Sequence, residues 1–112
     1  MIVKEAIFHP VVRAVLRLFP GDVKREAGKA IFDLQKGERL SMPIARSMPS
    51  IGAGAEELRI KDRSGAYRVF YYLKSARGVL VFHAFLKKTQ KTPQREIDIG
   101  KRRLKEMLYE EK

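Results

Sequence analysis

Apolar positions in the first third of the chain change period twice. Residues 2–8 alternate loosely and predict a short strand. Val11, Val12, Val15, Leu16, Leu18 and Phe19 then follow helical spacing behind Pro10, so residues 10–19 read as a helix with proline in its first turn. Pro20-Gly21 breaks it. Asp22 is placed as the N-cap of a second helix over 23–36, whose Val23, Ala27, Ala30, Ile31 and Leu34 share one stripe. Gly37 stands just past its end, where a left-handed residue is favoured.

Residues 38–55 lose all periodicity and carry Pro43, Pro49, Gly52 and Gly54, which predicts a long loop: functional, partner-docking or a passive connector. Three strands follow. In 57–62, Leu58 and Ile60 take one face and Glu57, Arg59 and Lys61 the other. In 67–74, Tyr67, Val69, Tyr71 and Leu73 oppose Arg68, Phe70, Tyr72 and Lys74. Residues 79–86 are apolar on both faces, so this strand is placed at the sheet centre. Short turns at 63–66 and 75–78 make the three an antiparallel meander.

The last element is a helix with Thr92 as cap and Pro93 at its first position, and with Ile97, Leu104, Met107 and Leu108 on one stripe. Gly100 costs this helix roughly 1 kcal/mol relative to alanine and therefore marks close packing. The order predicts a small α+β domain spanning 1–112: a small antiparallel sheet made of the meander plus an N-terminal strand, two N-terminal helices on one sheet face, and a C-terminal helix.

Charge changes the picture more than composition does. The chain has 112 residues and a formal net charge of +11, with about +3 in residues 1–56 and +8 in 57–112. A basic excess so placed points to a polyanion, against a solvated surface or an acidic protein partner. The longest apolar stretch, 79–86 with His83 counted in, is far short of the ~20 residues of a membrane helix, and no signal-peptide core is present, so a cytoplasmic protein without membrane contact is expected. Without cysteines and with two histidines, a dedicated metal centre is not expected. No glycine-rich phosphate loop or Gly-x-Ser-x-Gly elbow occurs, and no cofactor is expected. Catalytic groups, if any, are mostly Lys and Arg.

The alternation places Arg59, Lys61 and Arg68 together on the sheet face away from the N-terminal helices. Two uses are open: a phosphate site with Phe70 and Tyr72 stacking on bases, or a hydrated face with ion pairs to Glu57 and Asp62. The run Lys87-Lys88-Thr89-Gln90-Lys91-Thr92-Pro93 delivers three more cations to a helix N-terminus. His83, inside an apolar strand, reads as a core residue and not as a catalyst.

Glu57-Leu58-Arg59-Ile60, then Tyr67-Arg68-Val69-Phe70-Tyr71, then His83-Ala84-Phe85-Leu86-Lys87-Lys88-Thr89-Gln90-Lys91-Thr92-Pro93 resemble the phage-derived, HigB-like branch of the RelE/HigB toxins. The resemblance implies a RelE-like fold and the toxin of a type II toxin–antitoxin pair. Such toxins bind the ribosomal A site and cut messenger RNA there, and are held by a cognate antitoxin, in this branch a helix-turn-helix, HigA-like protein. By position, Arg59 and Lys61 match the family's basic pair, and Arg68 matches the arginine on the scissile phosphate. Lys87 and Lys88 fall near a further basic residue. The family's base-stacking tyrosine has no counterpart in 87–108, which leaves Tyr72 or Tyr109.

RNA carries its own nucleophile, the 2′-hydroxyl, so such a site must align it, take its proton and stabilise an extra-charged phosphorane. The expected roles are Arg68 as transition-state clamp, Lys61 or Lys88 as general base, and Arg59 and Lys88 as phosphate holders. Lys87, Lys91, Tyr72 and Phe70 would bind the RNA. Competing readings are a non-catalytic ParE-like toxin acting on gyrase, since fold alone assigns no function, and a simple RNA-binding module.

Overall fold

The computed structural model describes residues 2–110. Strand β1 (Ala6–Phe8) leads into helices α1 (Pro10–Arg17) and α2 (Gly21–Gln35). Strands β2 (Ala45–Ser47), β3 (Ala55–Asp62), β4 (Gly65–Ser75) and β5 (Gly78–Lys87) follow, and α3 (Gln94–Tyr109) closes the chain. The sheet order is β1-β5-β4-β3-β2, with β1 parallel to β5 and every other pair antiparallel, so the sheet is mixed where the sequence predicts an antiparallel one: the two helices between β1 and the meander return the chain to the same end. The α+β class, the meander and both groups of helices are as expected from the sequence.

Four further details differ. The stretch expected as loop holds β2, too short between Pro43 and Pro49 to show a period, and it extends the sheet beyond β3. The central strand is β4, because β1 and β2 each add an edge; β5 is apolar on both faces because helices cover both. The first strand begins only at Ala6, since the Lys4 backbone is bonded to Gln35 at the end of α2. Both proposed caps move: Pro20, extended at ψ 150°, precedes α2, and Asp22 lies inside its first turn and pairs with Arg25. Pro93 precedes α3, and the Thr92 hydroxyl is used elsewhere.

Gly37 ends α2 with φ +91°, its N–H donating to Leu34 and that of Glu38 to Asp33, which satisfies two terminal carbonyls. Beneath α1 and α2, Val12, Val23, Ile31 and Leu34 pack on Leu58, Ile60, Tyr67, Val69 and Tyr71, the strand residues whose parity selects that face. On the opposite face Leu104 and Met107 of α3 pack on Phe70, Leu80, Phe82 and Phe85. The close approach at Gly100 is real: a Cβ there would meet the Phe70 ring at 2.9 Å and the Phe82 ring at 3.3 Å. Because Phe70 and Phe82 are fully buried, Gly100→Ala should destabilise the fold by roughly 1–3 kcal/mol despite its better helix propensity. Thermal unfolding of the variant beside wild type checks this.

A bulge interrupts the pairing of β5 with β4. Phe70 pairs with His83 but Tyr71 with Val81, so Phe82 is the extra residue and both Phe82 and His83 face α3.

Candidate functional site

Register brings the cations together. Arg59 on β3 lies opposite Arg68 on β4, which lies opposite Phe85 on β5; one row along, Lys61, Ala66 and Lys87 line up. Leu58, Ile60, Val69 and Tyr71 face α1 and α2, so the parity expected from the sequence holds. The face is only partly open, however. Helix α3 covers its other half, and Phe70, expected to stack on bases, is 0% exposed beneath it. Phe70 is therefore a core residue: it packs against Phe82, Phe85 and the backbone of Gly100.

At the boundary between covered and open halves lies Glu57, also 0% exposed. One carboxylate oxygen is 3.3 Å from Arg59 Nη1, 3.6 Å from Arg68 Nε and 3.6 Å from Arg46 Nη2. The other accepts a 3.1 Å hydrogen bond from the Thr92 hydroxyl, which ties the loop after β5 to the sheet. Glu57 is thus no incidental partner of a hydrated face but the centre of the cluster. An unpaired buried carboxylate would be prohibitive, and three guanidinium groups this close would repel without it.

Arg68 is the least accessible of them, with a side chain 7% exposed. Its Nη1 donates to the Tyr67 carbonyl at 3.1 Å, while its Nε has no hydrogen-bond partner among the described residues. Burial lowers its pKa and Glu57 works against that; an arginine remains charged regardless. Lys87 donates to the Gln90 carbonyl, and burial, followed by the neighbouring Arg68, holds its ammonium below the usual lysine range.

Two clefts open on this cluster and share Arg59. One, about 540 Å³, is lined by Arg46, Arg59, Lys87, Lys91 and Thr92. The other, about 360 Å³, is lined by Arg59, Lys61 and Arg68, with Glu26 across it. Of the residues expected from the sequence, these clefts gather Arg59, Lys61, Arg68, Lys87 and Lys91. Lys88 is exposed and lines neither, lying just beyond the end of β5. Tyr72 is half-buried beside α3, in a separate groove. Arg46 escaped sequence reasoning because its strand shows no alternation. Glu57 and Thr92 were visible as residues but not as partners 35 positions apart.

His83 is the satisfied core histidine that its apolar strand suggested. Its Nδ1 accepts from Arg103 Nη1 at 2.9 Å, so the ring proton is on Nε2, which donates to Glu96 at 2.8 Å. Burial lowers its pKa and the bond to Glu96 opposes the shift. His9, whose ring caps α1 by accepting from the Val11 N–H, is lowered by burial too. A base whose folded pKa lies below the unfolded value of about 6.5 stabilises the fold fully above that pH, and the contribution is lost as pH falls toward the folded pKa. Unfolding free energy should therefore decline between about pH 7.5 and about pH 5.5. In His83→Gln the decline should be shallower, as urea titrations at the two pH values will measure.

Among the described residues no group of three or more His, Cys, Asp or Glu gathers to hold a metal ion. No helix among them is long and apolar enough to cross a membrane. Comparison with curated proteins finds no match. The family model described as Phage derived protein Gp49-like (DUF891) matches residues 14–105, a span that includes every residue of both clefts. The chain therefore belongs to the Gp49-like family, a RelE/HigB-like family of toxins from toxin–antitoxin systems, whose members are paired with an antitoxin.

Proposed function

We propose that this chain is a HigB-like toxin that cleaves messenger RNA on the ribosome, without a metal, in the cytoplasm. The observation that carries the reading is three arginines, Arg46, Arg59 and Arg68, held about one buried carboxylate at the junction of two clefts, with Lys87 lining the larger cleft beside them. A phosphodiester entering there meets fixed positive charge on a sheet that need not reorganise, which favours a transition state richer in negative charge than the substrate.

In this mechanism the 2′-oxygen attacks phosphorus and its proton passes to the neutral Lys87 amine. The bond to the 5′-oxygen breaks, and that oxygen leaves with a proton from solvent. The products are a 2′,3′-cyclic phosphate and a 5′-hydroxyl. Arg59, common to both clefts, and Arg46 clamp the equatorial oxygens, while Arg68 supplies charge from beneath. Lys61, exposed at the cleft edge, and Lys91 hold flanking phosphates. Lys87 takes the role of base in preference to Lys61 or Lys88 because it is partly withdrawn from water among other cations. The partner is a helix-turn-helix, HigA-like antitoxin.

Purified protein added to ribosomes carrying a defined messenger provides the test. Cleavage with cyclic-phosphate ends is expected, together with inertness toward a messenger bearing deoxyribose at the scissile position. Arg59→Ala should lower the rate by roughly 10²–10³-fold. Gyrase-dependent DNA breaks with intact messenger, or tight RNA binding without cleavage, would overturn the reading.

A further inference from the structure

A second groove adjoins the larger cleft along α3. The cleft's walls, Met48, Pro49 and Ser50 on one side and Ile97 on the other, are continued by Ile51, Gly52, Ala53 and Lys101, which line this groove of about 640 Å³. The two grooves share no lining residue but follow one another along the seam between the 48–54 loop and α3, Ser50 and Ile97 lining the first and Ile51 and Asp98 the second. From Ile97 to Lys105 they follow the helix for about 12 Å.

The second groove is basic and apolar at once. Lys101, Arg102 and Lys105 rim it, with Tyr72, Leu104 and Leu108 below. The three cations are exposed, and among the described residues none of them makes an ion pair. The charges in and just after α2 are paired: Arg25 with Asp22, Lys29 with Asp33, and Lys36 with both Asp33 and Glu38. The one acid of the groove, Asp98, accepts a 2.8 Å hydrogen bond from Gln94 and forms an ion pair with none of the three cations. Like charges at Lys101 and Lys105, one turn apart, weaken a helix, and an anion bound to both would offset that cost.

We propose that this groove binds the same RNA strand beyond the cleaved bond, with phosphates on Lys101, Arg102 and Lys105 and a base stacked on the Tyr72 ring. The inference rests on the RNA reading of the neighbouring cleft and extends it to a longer, single-stranded footprint. An exposed cationic rim over a half-buried aromatic ring is what sequence-tolerant single-strand binding uses.

The test is binding of uncleavable 2′-O-methyl oligoadenylates of about four and about twelve nucleotides, at several salt concentrations. Wild type should favour the long strand. In K101Q/R102Q/K105Q the long strand's affinity should fall roughly tenfold and its log–log salt slope by about 2, while the short strand's stays within about twofold. Tyr72→Leu should cost roughly tenfold on the long strand alone, and Tyr72→Phe almost nothing.

Equal affinity for both lengths in wild type, or an unchanged salt slope in the triple variant, would overturn the proposal. So would a variant that loses ribosome or antitoxin binding while its oligonucleotide affinities hold. The two readings fail separately. Length-dependent binding without any cleavage removes the nuclease and keeps the track; cleavage with length-independent binding does the reverse.

Discussion

Lys87→Met should lower ribosome-dependent cleavage by roughly 10²–10⁴-fold, the range a positioned general base supplies. The effect should fall on kcat more than on KM, because Arg46, Arg59 and Lys91 still line the cleft and hold the ground-state phosphate. The sign of the pH dependence comes from the direction of the shift. Burial and Arg68 lower the Lys87 pKa, so the neutral amine becomes available at a lower pH than for a solvated lysine. The wild-type rate should climb with pH and level off above that lowered pKa, and the climbing limb should vanish in Lys87→Met. Lys87→Arg separates proton transfer from charge, since it keeps the cation and cannot give up a proton near neutral pH. If Lys87→Arg cleaves at the wild-type rate, Lys87 is an electrostatic contact and the base is elsewhere. Rate–pH profiles of the three proteins on one messenger decide this.

Much of the site was legible in residue order because parity in a strand is local. Once Leu58, Ile60, Val69 and Tyr71 are assigned to the helix side, Arg59, Lys61 and Arg68 must share the other side, and they do. Gly37 and Gly100 were readable for a similar reason: each answers a nearby backbone or packing demand. What stayed hidden depends on distant partners. Phe70 has the same parity as Arg68, and only the docking of α3 decides that it is buried while the arginine borders a cleft. His83 faces α3 because of a bulge that no pattern announced. Thr92 has the position of a helix cap, but its hydroxyl is spent on Glu57, and an extended proline residue replaces it at the helix start. Arg46 belongs to a three-residue strand, too short for a period.

Glu57→Gln should destabilise the protein by about 3–5 kcal/mol, the cost of leaving a buried charge without its counter-ion. Arg68 bears most of it: its side chain is 7% exposed, and beyond the Tyr67 carbonyl the carboxylate 3.6 Å away is its compensating group. Against a total stability of about 5–15 kcal/mol for a typical domain, such a loss should lower Tm by roughly 15 °C. The double variant Glu57→Gln/Arg68→Gln should recover a substantial part of it, because it removes the stranded charge together with its partner. Anions provide a second handle. In wild type a phosphate must compete with Glu57 for Arg46 and Arg59, whereas in Glu57→Gln it replaces the missing charge. An uncleavable oligonucleotide should therefore raise Tm more in the variant than in wild type. A Glu57→Gln protein as stable as wild type, with the same response to oligonucleotide, would mean that the three arginines do not depend on this carboxylate. Catalytic failure of the variant should accompany its instability and persist at temperatures low enough to keep it folded. Removing Glu57 loosens the guanidinium groups whose fixed spacing the reaction uses, and added anion restores their charge balance without restoring that spacing.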